Sequence, residues 1–154
     1  MSLLPPATPF TLAVVSWQEH ASALAQVRRT VFIEEQQIAE EDEWDDHDAE
    51  CTHLLALDAD GTPIGTARLF PSGRIGRMAV LRAWRGRGVG MALLQAALQR
   101  ALAQSAPEIC LDAQMPAIPF YARAGFVAEG DSFLDAGIPH RRMVYPATHV
   151  NASV

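Results

Sequence analysis

Residues 85–90 read Arg-Gly-Arg-Gly-Val-Gly and run directly into the alanine- and leucine-rich stretch 91–103. Glycines at alternate positions let a ligand approach the main chain, and the free N–H groups at a helix start attract an anion. Arg85 and Arg87 add positive charge beside them. The chemistry on offer is therefore the holding of a phosphate-bearing molecule. A P-loop would close with Gly-Lys-Ser/Thr, but Met91 follows Gly90 and the chain has no lysine at all. A dinucleotide fingerprint needs a third glycine, yet Gly86-x-Gly88 leads to Met91 and Gly88-x-Gly90 leads to Leu93. A plain turn that binds nothing would carry three glycines where each costs roughly 1 kcal/mol relative to alanine.

Arg85, Gly88 and Gly90 fit the pattern Q/R-x-x-G-x-G/A. A second block, Gln-Met-Pro-Ala-Ile-Pro-Phe-Tyr-Ala-Arg-Ala-Gly-Phe over 114–126, fits N-x-x-A-x-x-x-Y-x-x-x-G-F at Ala117, Tyr121, Gly125 and Phe126, with Gln114 in the asparagine position. Together the two blocks resemble the GNAT family of N-acetyltransferases over roughly residues 11–146. The segments 27–36 (VRRTVFIEEQ) and 135–143 (DAGIPHRRM) are similar to its small ElaA-like subgroup.

The resemblance implies transfer of an acetyl group from acetyl-CoA to a primary amine, by direct attack in a ternary complex. The acceptor is expected to be a small molecule; a protein or peptide amine, or a catalytically silent CoA-binding module, are the alternatives. It places the cosubstrate on Met78, Ala79, Val80, Arg85, Gly86, Arg87, Gly88, Val89, Gly90, Gln114 and Phe120. It casts Tyr121 as the general acid for the leaving sulfur, although its local spacing is that of a core tyrosine on a short amphipathic helix. Many relatives carry a glutamate base on the strand before the glycine loop. This chain has Arg77 there and no carboxylate, so the base is sought among Glu34, Glu35, His53 and His140, with Glu35 and His140 favoured.

Residues 34–50 hold ten of the eighteen acidic side chains. They read as a solvated loop with at most one helical turn, or as a negative mouth that attracts a cationic amine. Asp42, Asp45, Asp46, His47 and Asp48 lack EF-hand spacing, and no metal is expected. A net charge of −6 argues against nucleic acid and anionic membranes as partners, and no run approaches the ~20 apolar residues of a membrane span. Cys51 and Cys110 read as reduced thiols of a cytoplasmic protein. A homodimer is compatible with the sequence but specified by no stretch of it.

The elements that must position these groups follow from periodicity. Strands are expected at 11–17, 53–58, 64–70, 74–81 and 108–113, then in "FVAEG" and "HRRMVYP". Helices are expected at 20–33, with Arg28 and Arg29 off its apolar face, at 88–104 with Val89, Leu93, Leu94, Ala97, Leu98 and Ala101 buried, and at 117–124. Residues 1–9 read as a flexible tail and 10–148 as a single domain. Early hairpins followed by β-α-β predict an α/β fold. The resemblance makes its sheet mixed and mainly antiparallel, flanked by helices, and splayed between the central parallel strands "RMAV" and "CLDA".

Overall fold

A computed structural model describes residues 9–152. The expected N-terminal tail, apart from Pro9, lies outside them. Strand β1 (Phe10–Val15) leads into helix α1 (Trp17–Arg28). Ser16 caps that helix by accepting the Glu19 N–H at 3.3 Å, with Glu19 at the third helical position as in a capping box. The helix widens into a π-helical segment, Arg29–Glu35, whose end is marked by Gln36 N–H donating to the Val31 carbonyl at 3.0 Å. Helix α2 (Glu40–Glu43) and a 3₁₀ turn (Asp48–Glu50) follow within the acidic stretch.

Strands β2 (Thr52–Asp58), β3 (Pro63–Leu69) and β4 (Arg74–Val80) form a meander. Helix α3 (Val89–Ala103) crosses back to β5 (Cys110–Gln114). Helix α4 (Ile118–Arg123), strands β6 (Val127–Asp135) and β7 (Ile138–Val144), and a final helix α5 (Ala147–Ala152) complete the order. The seven strands lie in the order β1-β2-β3-β4-β5-β7-β6. All neighbours are antiparallel except β4 and β5.

That one parallel pairing joins only Arg74 to Cys110 and Ile75 to Leu111, after which the strands part. The expected splay is present. A bulge opposite Thr66–Arg68 bends β4 where Arg77 takes φ 47°, and the Thr66 hydroxyl ties the bulge by donating to the Arg77 carbonyl at 3.1 Å.

The two faces of the sheet are covered separately because strand side chains alternate. Leu54 packs with Leu93, Leu94 and Ala97 of α3, while the adjacent Leu55 packs with Leu24 of α1. The α3 stripe is buried as expected. Gly65 lets α3 come close, since a Cβ there would stand 2.9 Å from Leu93 Cδ1 and 3.3 Å from the Ala79 carbonyl oxygen.

One sequence expectation is reversed. Arg28 lies inside the protein at 1% exposure, beside Leu24 and Val27. A helical-wheel reading assigns arginine to the wet face because charge is costly to bury; here the partners come from residues 43–48.

Candidate active site

The glycine loop connects the end of β4 to α3 through a 3₁₀ turn at Arg82–Trp84. Gly86 (φ 77°) and Gly88 (φ 86°) both adopt left-handed conformations, which side-chain-bearing residues rarely tolerate. A Cβ at either would meet only open space, so both leave main chain accessible from outside. Gly90 instead faces the Phe120 ring, 3.4 Å from where its Cβ would be.

A cavity of about 560 Å³ opens beside this loop. Met78, Ala79, Val80, Arg85, Gly86, Gly88, Gly90 and Phe120 of the expected cosubstrate set line it, with Tyr121. Three others do not. Val89 is buried in the core, Arg87 lies over the Trp84 ring at 5.2 Å, and Gln114 lines a different cavity. Trp84, Met91, Ala117 and Arg123 also line the large cavity, a role that no local pattern in the sequence reading signalled.

The second cavity is smaller, about 130 Å³, and lies across the parted strands. Phe32, Ile38, Glu43, Arg77 and Gln114 line it, as does His140. Met78, Ala117 and Tyr121 line both cavities, so the two meet at the mouth of the splay. Tyr121 is held edge-on to Phe120 (ring centroids 5.1 Å apart) and Phe126 (6.4 Å). Burial pushes its phenol up to about 12, so the hydroxyl keeps its proton at neutral pH.

The four candidate bases fare differently. Glu34 is exposed, and neither cavity is lined by it, by Glu35 or by His53. Glu35 accepts two hydrogen bonds from Arg85, at 2.6 and 3.0 Å. Those bonds, with the charges of Arg85 and Arg82 and against the opposing effect of burial, hold its carboxyl below the usual range, which makes it a poor proton acceptor. His53 is fully buried with Nε2 2.9 Å from the Asp48 carbonyl, and burial lowers its affinity for a proton. His140 alone lines a cavity. Its Nδ1 lies 2.6 Å from the Ile138 carbonyl, which can only accept, so Nδ1 carries the hydrogen and Nε2 is left to receive a proton. Phe133 stacks on the ring at 6.1 Å.

Of the acidic stretch, Glu34, Glu40, Glu41, Asp42, Asp46 and Glu50 are exposed, as a solvated segment would have them, while Glu43, Asp45 and Asp48 turn inward onto arginines. Arg28 Nε meets Glu43 at 2.7 Å, and its Nη1 meets Asp48 at 2.7 Å. Arg68 pairs with Asp45 at 2.8 Å and Asp48 at 3.1 Å. Arg77 reaches Glu43 and Asp45, each at 3.2 Å. Trp17 and Trp44 face the Arg28 guanidinium at 5.6 and 5.1 Å. Burial works against ionisation of Asp45 and Asp48. The hydrogen bonds and charges of Arg68 on Asp45, and of Arg28 and then Arg68 on Asp48, win and hold both carboxyls below the usual range. Among the described residues, no group of three or more His, Cys, Asp or Glu side chains is placed to hold a metal ion.

The family model for the acetyltransferase (GNAT) domain matches residues 19–146. The chain belongs to the GNAT acetyltransferase family. A relative from Bacillus subtilis, the uncharacterized N-acetyltransferase YjcF, is 36% identical over 122 residues, covering 77% of this chain and 86% of its own. The structure of an acyl-CoA N-acyltransferase from Pseudomonas aeruginosa superposes with a TM-score of 0.75 at 32% identity, covering 90% of this chain and 99% of that one. Escherichia coli ElaA superposes with a TM-score of 0.78 at 28% identity, over 88% and 99% of the two chains. This GNAT therefore has the α/β fold of acyl-CoA N-acyltransferases, and its cosubstrate class is a CoA thioester.

Proposed function

We propose that this GNAT moves an acetyl group from acetyl-CoA to the primary amine of a small molecule, by direct attack in a ternary complex. The observation that carries the reading is the junction of the two cavities at Met78, Ala117 and Tyr121. The large cavity is lined both by the glycine loop, which suits a diphosphate, and by Tyr121. The small one offers an acceptor little room, which favours a small amine over a polypeptide. The fit to the cosubstrate rests on the accessible main chain at Gly86 and Gly88.

Past Ile75, β4 has no strand partner on the β5 side. The main chain of Met78–Val80 that faces away from β3, apart from the Val80 carbonyl taken by Arg85, is then free to pair with the amides of the pantetheine arm, as a peptide adds to a sheet edge. An N–H of the same segment, fixed toward the thioester carbonyl, stabilises the oxyanion; one such donor contributes roughly 3 kcal/mol. His140 Nε2 takes the amine proton as the C–N bond forms. Tyr121 hydrogen-bonds to the sulfur as the C–S bond breaks. A phenol at about 12 holds its proton more tightly than a thiol does, so net protonation of the sulfur is completed by the proton the amine gave up.

Cys51 and Cys110 are free and buried, and burial pushes the Cys51 thiol up to about 11. Inert, unbridged thiols suit a reducing compartment such as the cytoplasm. No described helix is long and apolar enough to cross a membrane. The reading is tested by following thiol release from acetyl-CoA across small amines, peptides and no acceptor. Turnover with small amines is expected. Turnover with peptides only, or CoA binding without any turnover, overturns it in favour of a peptide acetyltransferase or a silent binding module.

A further inference from the structure

The two strands that part at Ile75 and Leu111 end at Val80 and Gln114. Both ends are tied to consecutive residues of one turn. Arg85 donates from Nη1 and Nη2 to Glu35, at 2.6 and 3.0 Å, and from Nε to the Val80 carbonyl at 2.9 Å. All three guanidinium nitrogens are thus engaged. On the other lip, Gln114 Nε2 donates to Gln36 Oε1 at 2.9 Å. Glu35 closes the π-helical segment and Gln36 caps it. The wider π turn places the two side chains where they reach opposite sides of the cleft, across 50 and 78 residues of sequence.

We infer that Glu35 and Gln36 form a brace that sets the separation of the parted strands, with Arg85 acting as the link to β4 and not as a phosphate ligand. The inference rests on the proposed CoA reading for its consequence in binding, but not for the brace itself. Glu35 and Gln36 are positioning residues: Glu35 acts through Arg85 on the main chain at Val80, and Gln36 acts through Gln114 on the end of β5. Arginine suits this place because its planar fork bonds a carboxylate with one edge and a carbonyl with Nε. A lysine ammonium is a point charge and cannot hold both in that geometry.

Two readings of Arg85 give opposite results. If its charge served the phosphates, Glu35→Gln would remove a competing anion near a polyanionic ligand and tighten CoA binding, and Arg85→Lys would bind nearly as wild type. If it is a link in the brace, Glu35→Gln and Arg85→Lys each weaken CoA binding roughly tenfold, the scale of one charged hydrogen bond lost. The Glu35→Gln/Arg85→Lys double variant is then no worse than either single one. Calorimetric titration of CoA into the full chain reads all of these. Independently of any ligand, hydrogen exchange at 78–81 is expected to quicken in Glu35→Gln and Arg85→Lys, and at 112–114 in Gln36→Ala, with exchange in α3 unchanged. Tighter binding by Glu35→Gln, wild-type binding by Arg85→Lys, or unchanged exchange at both lips overturns the brace. Absence of CoA binding to the wild-type chain overturns the CoA reading instead, and leaves the exchange experiment to decide the brace.

Discussion

Arg28 Nε stands 2.7 Å from the carboxylate of Glu43, fifteen residues further along the chain, and neither side chain is more than 3% exposed. A buried pair adds little stability over a well-packed apolar substitute, but breaking it strands a charge in a dry site. Arg28→Met leaves Glu43 with Arg77 at 3.2 Å and Asp48 with Arg68 at 3.1 Å. The expected loss is about 3 kcal/mol, the low end for removing one partner of a buried pair, read from urea unfolding.

The same cluster sets the acid stability. His53 is held neutral by burial, and Asp45 and Asp48 are held ionised by their arginines, so all three have native-state values below the unfolded ones. At these three groups the unfolded chain binds more protons, so their contribution falls as the pH falls, opposed by Glu43, whose carboxyl burial pushes up. The His53 contribution is lost below about pH 6.5, and those of Asp45 and Asp48 below about pH 4. Asp48→Asn, less stable at pH 7, is expected to show a flatter decline between pH 4 and pH 2 than the wild type in pH-resolved thermal unfolding.

Tyr121→Phe keeps the ring against Phe120 and Phe126 and removes only the hydroxyl. Turnover is expected to fall by about 10²-fold, the scale for loss of one positioned hydrogen-bond donor to developing charge, with CoA affinity within about twofold of wild type. Stopped thiol-release assays and calorimetry give the two numbers. An unaltered turnover removes the hydroxyl from the reaction.

His140→Gln keeps a polar side chain in the small cavity but removes the ring nitrogen proposed to accept the amine proton. Turnover should be at least about tenfold lower, with CoA affinity nearly unchanged. Wild-type turnover in a thiol-release assay would show that another group accepts the amine proton.

Gly65 and Gly88 are glycine for different reasons, and alanine separates them. At Gly65 the new methyl would press on Leu93 at 2.9 Å and on main chain at 3.3 Å, so Gly65→Ala should destabilise the fold by about 1–3 kcal/mol through overpacking. At Gly88 it meets no atom, but φ is 86°, so Gly88→Ala should cost about 1–2 kcal/mol of backbone strain and weaken CoA binding as the loop relaxes. Denaturation and CoA titration of both variants check this, with a binding defect expected at Gly88 and not at Gly65.

The element order and the glycine loop were legible because each depends on neighbours close in sequence. Alternating apolar residues mark β2 and β3, and the Val89–Ala101 stripe marks α3. The splay was reached only through resemblance, since nothing within β4 or β5 announces that their pairing stops after Ile75. The burial of Arg28 was not legible, because its partners Glu43 and Asp48 are brought to it by a chain reversal. The π-helical segment is not legible, and apolar spacing gives plain helix up to 33 and then loop: a change in pitch leaves no signature over so few residues. The contact of Gln114 with Gln36 has no local signature either, because the two residues lie 78 positions apart.

The parting of β4 from β5 has a consequence for how freely this cleft can drift. A donor supplied by the peptide unit itself is indifferent to whichever side chain its residue bears. Mutation can exchange Met78, Ala79 or Val80 for another strand former without erasing the amide hydrogen on which the proposed reaction relies. What descent must keep, on that reading, is the curvature that turns this edge away from β5, a property spread over the bulge at Arg77 and the contacts of Glu35 and Gln36. Such a function is inherited as a shape in the main chain, and sequence alone records it faintly.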